Sequence, residues 1–229
     1  MVEELFLEVK AMKGKLIIAL FLMILFTSCE DKKTTYPLFS SVDFFNYTNT
    51  SVLYFTGDSI TYNDFTHQRD SIRFFYIDSL VDIDTNQLEI KYMFDRYISY
   101  PNQSVFTYLT NYSITCMSTG VLMTEDLKQN FILPNLFDSN SYWNGHQYQS
   151  SDELIYRIQS ITNENYLGGN RNIIQVSMNN DFNLIAEDKR VEKYAEGLGI
   201  AYSYHRKISK DLVTGEIKSG SIVTLVHNP

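Results

Sequence analysis

Asp82, Asp84 and Asn86 set three side-chain oxygens at alternate positions, the spacing with which a calcium loop opens. Completing that loop would need a glycine where Gln87 stands and a closing glutamate where Met93 stands, so a solvated turn is the better account. The four histidines, His67, His146, His205 and His227, have no i, i+4 or CxxC-like partner, which argues against a metal site. His146 with Ser151 and Asp152 holds the group types of a hydrolase, but no G-x-S-x-G segment is present to raise a serine on an elbow. Gly197 and Gly199 open a GxGxxG pattern whose third glycine is Tyr202, with no strand-to-helix step after it, so nucleotide binding is not expected. Cys116 lies in the strand-like run Tyr112–Met117 with no His or Lys nearby in sequence, and reads as a small buried hydrophobe. No catalytic residue, metal or cofactor follows from these patterns, and the expectation is a protein that is not an enzyme.

Cys29 is different. It ends the order Leu25, Phe26, Thr27, Ser28, Cys29 and is followed by Glu30, Asp31, Lys32 and Lys33, the pattern of a bacterial lipoprotein signal. Upstream stand Met12, Lys13, Gly14 and Lys15 and then the unbroken apolar run Leu16 to Phe26. At about 1.5 Å per residue that run covers roughly half of a hydrocarbon core about 30 Å thick, so it reads as a signal segment and not a membrane span. Residues 1–11, with Glu3, Glu4 and Glu8, read as an overlong start, 12–28 as the signal, 29–35 as a tether and 36–229 as the folded domain. Cleavage before Cys29 would leave its thiol for a diacylglycerol thioether. Two or three acyl chains are needed for firm anchoring, because one alone binds a membrane only marginally. The expected location is the outer membrane by lipid anchor, on its periplasmic or surface face, the charged residues after Cys29 favouring the surface. With Cys29 lipidated, Cys116 has no disulfide partner.

The elements that position everything else read as strands. The chain is rich in Tyr (17) and Phe (15), a bias toward pleated, half-buried surfaces. Leu88, Ile90, Tyr92 and Phe94 alternate with Glu89, Lys91, Met93 and Asp95, a period of two that puts four apolar side chains on one face. Residues 71–95 read as a hairpin turning through 82–86, and 199–226 as another. Further strands are expected at 52–55, 59–63, 106–109, 112–118, 154–158 and 173–178. Two short helices are expected at Thr124–Phe131 and Asp188–Glu196, and a loop at 140–151 carrying the only tryptophan. In a strand, glycines such as Gly197 and Gly199 mark a bulge or a close backbone approach. The predicted fold is mainly β, a single antiparallel, strongly curved sheet of half-barrel or sandwich-like form with one or two short helices. A net charge of −8 disfavours nucleic acid and anionic membrane surfaces as partners.

The run Tyr194-Ala195-Glu196-Gly197-Leu198-Gly199-Ile200-Ala201-Tyr202, the patch Trp143-Asn144-Gly145 and the segment Asp58–Phe65 resemble, in this order, a set of small uncharacterised lipoproteins of Bacteroidota. Tyr36-Pro37-Leu38 is similar to the patch that begins their mature domain, whereas Phe44, Phe45 and Tyr54 stand where they carry Gly and Trp. The resemblance implies an exported β domain and brings no activity with it. Asp58-Ser59-Ile60, Asp70-Ser71-Ile72 and Asp78-Ser79-Leu80 resemble the O-glycosylation acceptor of exported Bacteroidota proteins, which makes Ser59, Ser71 and Ser79 candidate modified residues; an Asp-Ser turn into a strand is the plainer explanation. The function expected is a non-catalytic binding or assembly module. It would either cup a hydrophobic ligand on an aromatic concave face, or meet an envelope protein or glycan through exposed aromatics, with Tyr142, Trp143, Tyr202 and Tyr204 as the candidate surface; an uncharacterised hydrolase is the third reading.

Overall fold

The computed structural model describes residues 38–48, 51–66, 68–149 and 152–229, which belong to one compact unit, Pro37–Pro229. Cys29, the signal segment and the tether lie outside the described residues. The described residues are mainly strand: β1 (Phe39–Ser40), β2 (Val52–Tyr62), β3 (Arg69–Thr85), β4 (Glu89–Ser99), β5 (Thr107–Met117), β6 (Gly120–Glu125), β7 (Lys128–Pro134), β8 (Leu136–Phe137), β9 (Tyr142–Asn144), β10 (Ile155–Tyr166), β11 (Gly169–Phe182), β12 (Ala186–Ala195), β13 (Gly199–Lys210) and β14 (Ile217–Asn228). β1 pairs only with β8, and the other twelve form one antiparallel sheet.

That sheet is an up-and-down meander whose first and last strands, β2 and β14, lie side by side in its middle. Register slips by one residue at Leu80/Asp82, Arg96/Tyr97, Val121/Leu122, Ile158/Ser160 and Lys193/Tyr194, among other places. Each such bulge adds bend and twist, which lets a long sheet curl back on itself. Its two edges, β7 and β9, meet. The Phe131 N–H donates to the Gly145 carbonyl (2.7 Å), the Trp143 indole N–H donates to the Phe131 carbonyl (2.9 Å), and the Gln149 amide donates to Gln129 O and to Asn130 Oδ1. The result is a nearly closed barrel with Trp143 as the fastener of its seam.

Neither expected helix exists. Thr124–Phe131 is the end of β6, a two-residue turn and the start of β7, because Asp126 and Leu127 both take positive φ (48° and 65°), the geometry of the hairpin turn that matches strand twist. Asp188–Glu196 is most of β12 and the residue that follows it. The only helical element among the described residues is a 3-10 turn at Ser41–Asp43. The expected loop at 140–151 contains β9, and the turn expected over 82–86 is narrower. β3 runs on to Thr85, and Asn86 Oδ1 then accepts from the N–H groups of Leu88 and Glu89 to close the hairpin. Asp82 and Asp84 therefore lie on a strand and do not line a cation loop.

Side chains alone fill an eight-stranded barrel, while much larger ones leave a channel. Twelve strands leave a space, and the chain fills part of it with its own N-terminal segment. Phe44, Phe45 and Tyr47 are buried in the main core. Phe45 packs on Tyr194 (ring centroids 5.6 Å apart), Tyr47 edge-on against Tyr92 and Phe94 (5.2 and 5.1 Å), and Phe44 on Phe137 (5.9 Å). The segment is pinned by backbone, the N–H groups of Gly197 and Gly199 donating to Asp43 O and Phe44 O at 2.8 Å. Both glycines have φ near +73°, and a Cβ on Gly199 would stand 1.8 Å from Tyr47 Oη, which is the close approach their spacing suggested. Cys116 is buried beside this plug, and burial pushes its thiol up to about 12, so it is an inert core residue.

Candidate functional site at the polar mouth

The chain enters the barrel at the pole where Gly197–Gly199 and the C-terminus lie. Toward the other pole the inward-facing residues turn from apolar to charged. On β4 the alternation Tyr92, Phe94, Arg96 carries the inner face from aromatic to cation. Arg96 forms a two-pronged ion pair with Asp78 on β3 (2.8 and 2.7 Å), and the two residues are direct cross-strand partners. Tyr112 donates to Asp78 Oδ2 at 2.8 Å, and the Arg96 guanidinium lies over the rings of Tyr76 and Tyr112 at 5.0 and 4.8 Å. Glu125 approaches Arg96 at 3.8 Å; burial raises its carboxyl, with Arg96 opposing. Burial works against the charge of Arg96, but Asp78 outweighs it and keeps the group firmly protonated.

Across the barrel β12 presents Asp188, Arg190, Glu192 and Tyr194 at alternate positions. Asp188 Oδ1 accepts from both Arg190 Nε (3.3 Å) and His205 Nε2 (3.1 Å). Burial opposes the charge of Asp188, yet Arg190 and His205 hold it below the usual carboxylate range. His205 is pushed down by burial and then by Arg190, with Asp188 opposing. Glu192 is half-buried, burial raises its carboxyl, and Tyr194 donates its hydroxyl to it. A cavity of about 180 Å³ opens here, walled by Asn130, Tyr156, Met178, Arg190, Glu192 and His205. This is smaller than pockets that bury whole drug-sized ligands. It has room for one small polar group, and its walls offer donors and acceptors of both signs. Asp188 has two donors on one oxygen, Arg190 Nε and His205 Nε2.

Of the sequence-derived surface residues Tyr204 is among those that line this cavity, and the four do not gather into one patch. Trp143 is only 8% exposed, stacked on Tyr156 (5.4 Å) at the seam, because its indole N–H is satisfied within the edge-to-edge contact; it is not part of an exposed surface. Its neighbour Tyr142 points outward and is 70% exposed. Tyr202 and Tyr204 lie four strands away on β13, alternating with inward-facing Ser203 and His205, and Tyr202 sits under the Lys193 ammonium (5.9 Å). The three Asp-Ser segments all fall within strands β2 and β3. Asp78 is sealed in its ion pair, and Asp58 is paired with Arg73 at 2.9 Å. Asp70, Ser71 and Ile72 are all exposed. His146 and Asp152 are linked, His146 Nδ1 lying 2.7 Å from the Asp152 carbonyl oxygen, a contact that shapes the loop; Ser151 lies outside the described residues. Among the described residues no group of three or more His, Cys, Asp or Glu could hold a metal ion. The charged lining of the mouth was not found from sequence, although Asp188, Arg190 and Glu192 do follow the period of two that would have shown it.

No family model and no curated protein matches the chain. Among solved structures it is similar to a protein from Parabacteroides distasonis, provisionally described as a lipoprotein, with 8% identity over 80% of this chain and 97% of that one and a TM-score of 0.41. That superposition is too loose to transfer a fold or an activity.

Proposed function

We propose that the mature chain is a lipid-anchored protein of the outer membrane whose barrel is a non-catalytic interaction module, acting through its polar mouth and not as a carrier of a greasy ligand. The observation that carries this reading is the plug. Phe44, Phe45 and Tyr47 occupy the aromatic concave face on which an acyl chain would lie, and the small cavity at the mouth is lined by Arg190, Glu192, His205 and Asn130. Taking such polar and charged groups out of water against an acyl chain costs free energy, so this cavity suits a polar group of a protein or glycan partner. Of the three Asp-Ser segments, Ser71 is the serine a modifying enzyme could reach.

The test is a titration with a fluorescent fatty acid. The native chain should show no saturable uptake, whereas Phe45→Ala, which removes a fully buried ring from the plug, should gain some. Saturable uptake by the native chain would restore the carrier reading.

A further inference from the structure

The six connections at the mouth, residues 63–68, 100–106, 126–127, 145–154, 183–185 and 211–216, each end in an exposed apolar residue: Phe65, Val105, Leu127, Tyr148, Leu184 and Val213. Three of these are almost wholly bare, Phe65 at 95%, Leu127 at 97% and Val213 at 92%. At the opposite pole the tight turns 86–88, 118–119, 167–168 and 196–198 carry one such residue, Leu88, and the N-terminal segment and β8 add Leu38, Val42 and Leu136, none of these as bare as Phe65, Leu127 or Val213. Single exposed apolar residues are ordinary, but a ring of them on every loop of one rim is not.

The same six loops contain Asp64, Asp126, Asp152, Glu153, Asp211 and Glu216 and neither Lys nor Arg. That charge decides between occupants. Arg69, Lys128, Lys210 and Lys218 flank these loops, Lys218 pairing with Asp211 at 3.0 Å, but the acids outnumber them, so an anionic leaflet would be repelled by the rim. A second copy would set six acids against six. What matches is a protein surface with basic residues around apolar pockets.

Resting on the reading of the barrel as an interaction module, we infer that the mouth rim is a docking surface for such a basic protein. Apolar tips would seat in its pockets while the rim acids steer it and fix its orientation. The experiment places a photo-reactive amino acid at Phe65 or Val213, and at Tyr54 on the outer wall as control, in the full lipidated chain in its own host. The expected result is a protein adduct at both rim positions and none at Tyr54. Its yield should fall at least tenfold in a background of Asp64→Lys, Asp152→Lys and Glu216→Lys. The adduct partner, once purified, should bind about tenfold more weakly in 300 mM than in 50 mM salt. A lipid adduct, an adduct with the same chain, equal labelling at Tyr54, or a yield indifferent to charge reversal would overturn the inference. Because fatty-acid exclusion is read from the interior, failure of docking with exclusion retained removes only this inference and leaves the plugged-barrel reading standing.

Discussion

Arg96→Met should destabilise the domain by about 3–5 kcal/mol, read as a shift in the denaturant midpoint with an unchanged slope. Asp78 is fully buried, and its carboxylate is held by both prongs of Arg96 and by the Tyr112 hydroxyl. Removing the guanidinium leaves a charge in the protein interior with a single donor. The arginine also fills the slot between the rings of Tyr76 and Tyr112, but methionine replaces much of that bulk, so the loss is chiefly electrostatic. The double variant Asp78→Leu with Arg96→Met should recover most of the loss, since a buried ion pair can often be exchanged for apolar residues of similar volume at little cost. A single-variant loss below about 1 kcal/mol would mean that Asp78 is not sealed in the barrel wall and that the mouth extends deeper.

The second large effect is expected at Gly199, and its control is two residues away. Gly197 and Gly199 share nearly the same positive φ, so an alanine at either costs the left-handed backbone conformation, roughly 1–2 kcal/mol. They differ in what the new methyl would meet. At Gly197 the nearest atom is the end of the Arg171 side chain, 3.2 Å away and able to yield, whereas at Gly199 it is Tyr47 Oη at 1.8 Å with Phe45 behind it at 3.3 Å. Gly199→Ala should therefore cost a further 1–3 kcal/mol or so for forcing the plug out of place. Thermal midpoints of the two variants measure the difference, which isolates the plug contact from the backbone cost. Equal losses would mean that the Tyr47 ring does not occupy that position in solution.

Much of the fold was legible because apolar alternation survives wherever a strand has one face in the core. Glu89–Asp95 and the pair 199–226 were read as strands for that reason, and the strongly curved antiparallel sheet followed from them, whereas Leu88, expected on the same core face, stays exposed in the turn before β4. The pattern failed where the inner face is itself charged. β12 reads Asp188, Lys189, Arg190, Val191, Glu192, Lys193, with charges on both faces, so its period of two has no hydrophobic contrast and the run looks like a solvated helix. The candidate site was missed for the same reason, since the residues that make the mouth polar also erase the strand signal. The seam hid Trp143, because a tryptophan between Gly145 and a turn-rich loop looks exposed until the opposite sheet edge, at Phe131, is brought against it. The plug was hidden by distance in sequence. Phe44 and Phe45 were noted only as a departure from a resembling family, and nothing local joins them to Tyr194 or Gly199, some 150 residues later.

The proposed function requires lipid held covalently at Cys29 and none in the barrel. Purification from its own host, followed by mass measurement under native and then denaturing conditions, tests both halves at once. The account predicts a polypeptide beginning at Cys29 that carries acyl mass through that residue, with the same mass before and after denaturation. A chain without acyl modification at Cys29, or a hydrophobic ligand in stoichiometric amount that leaves on denaturation, would contradict it.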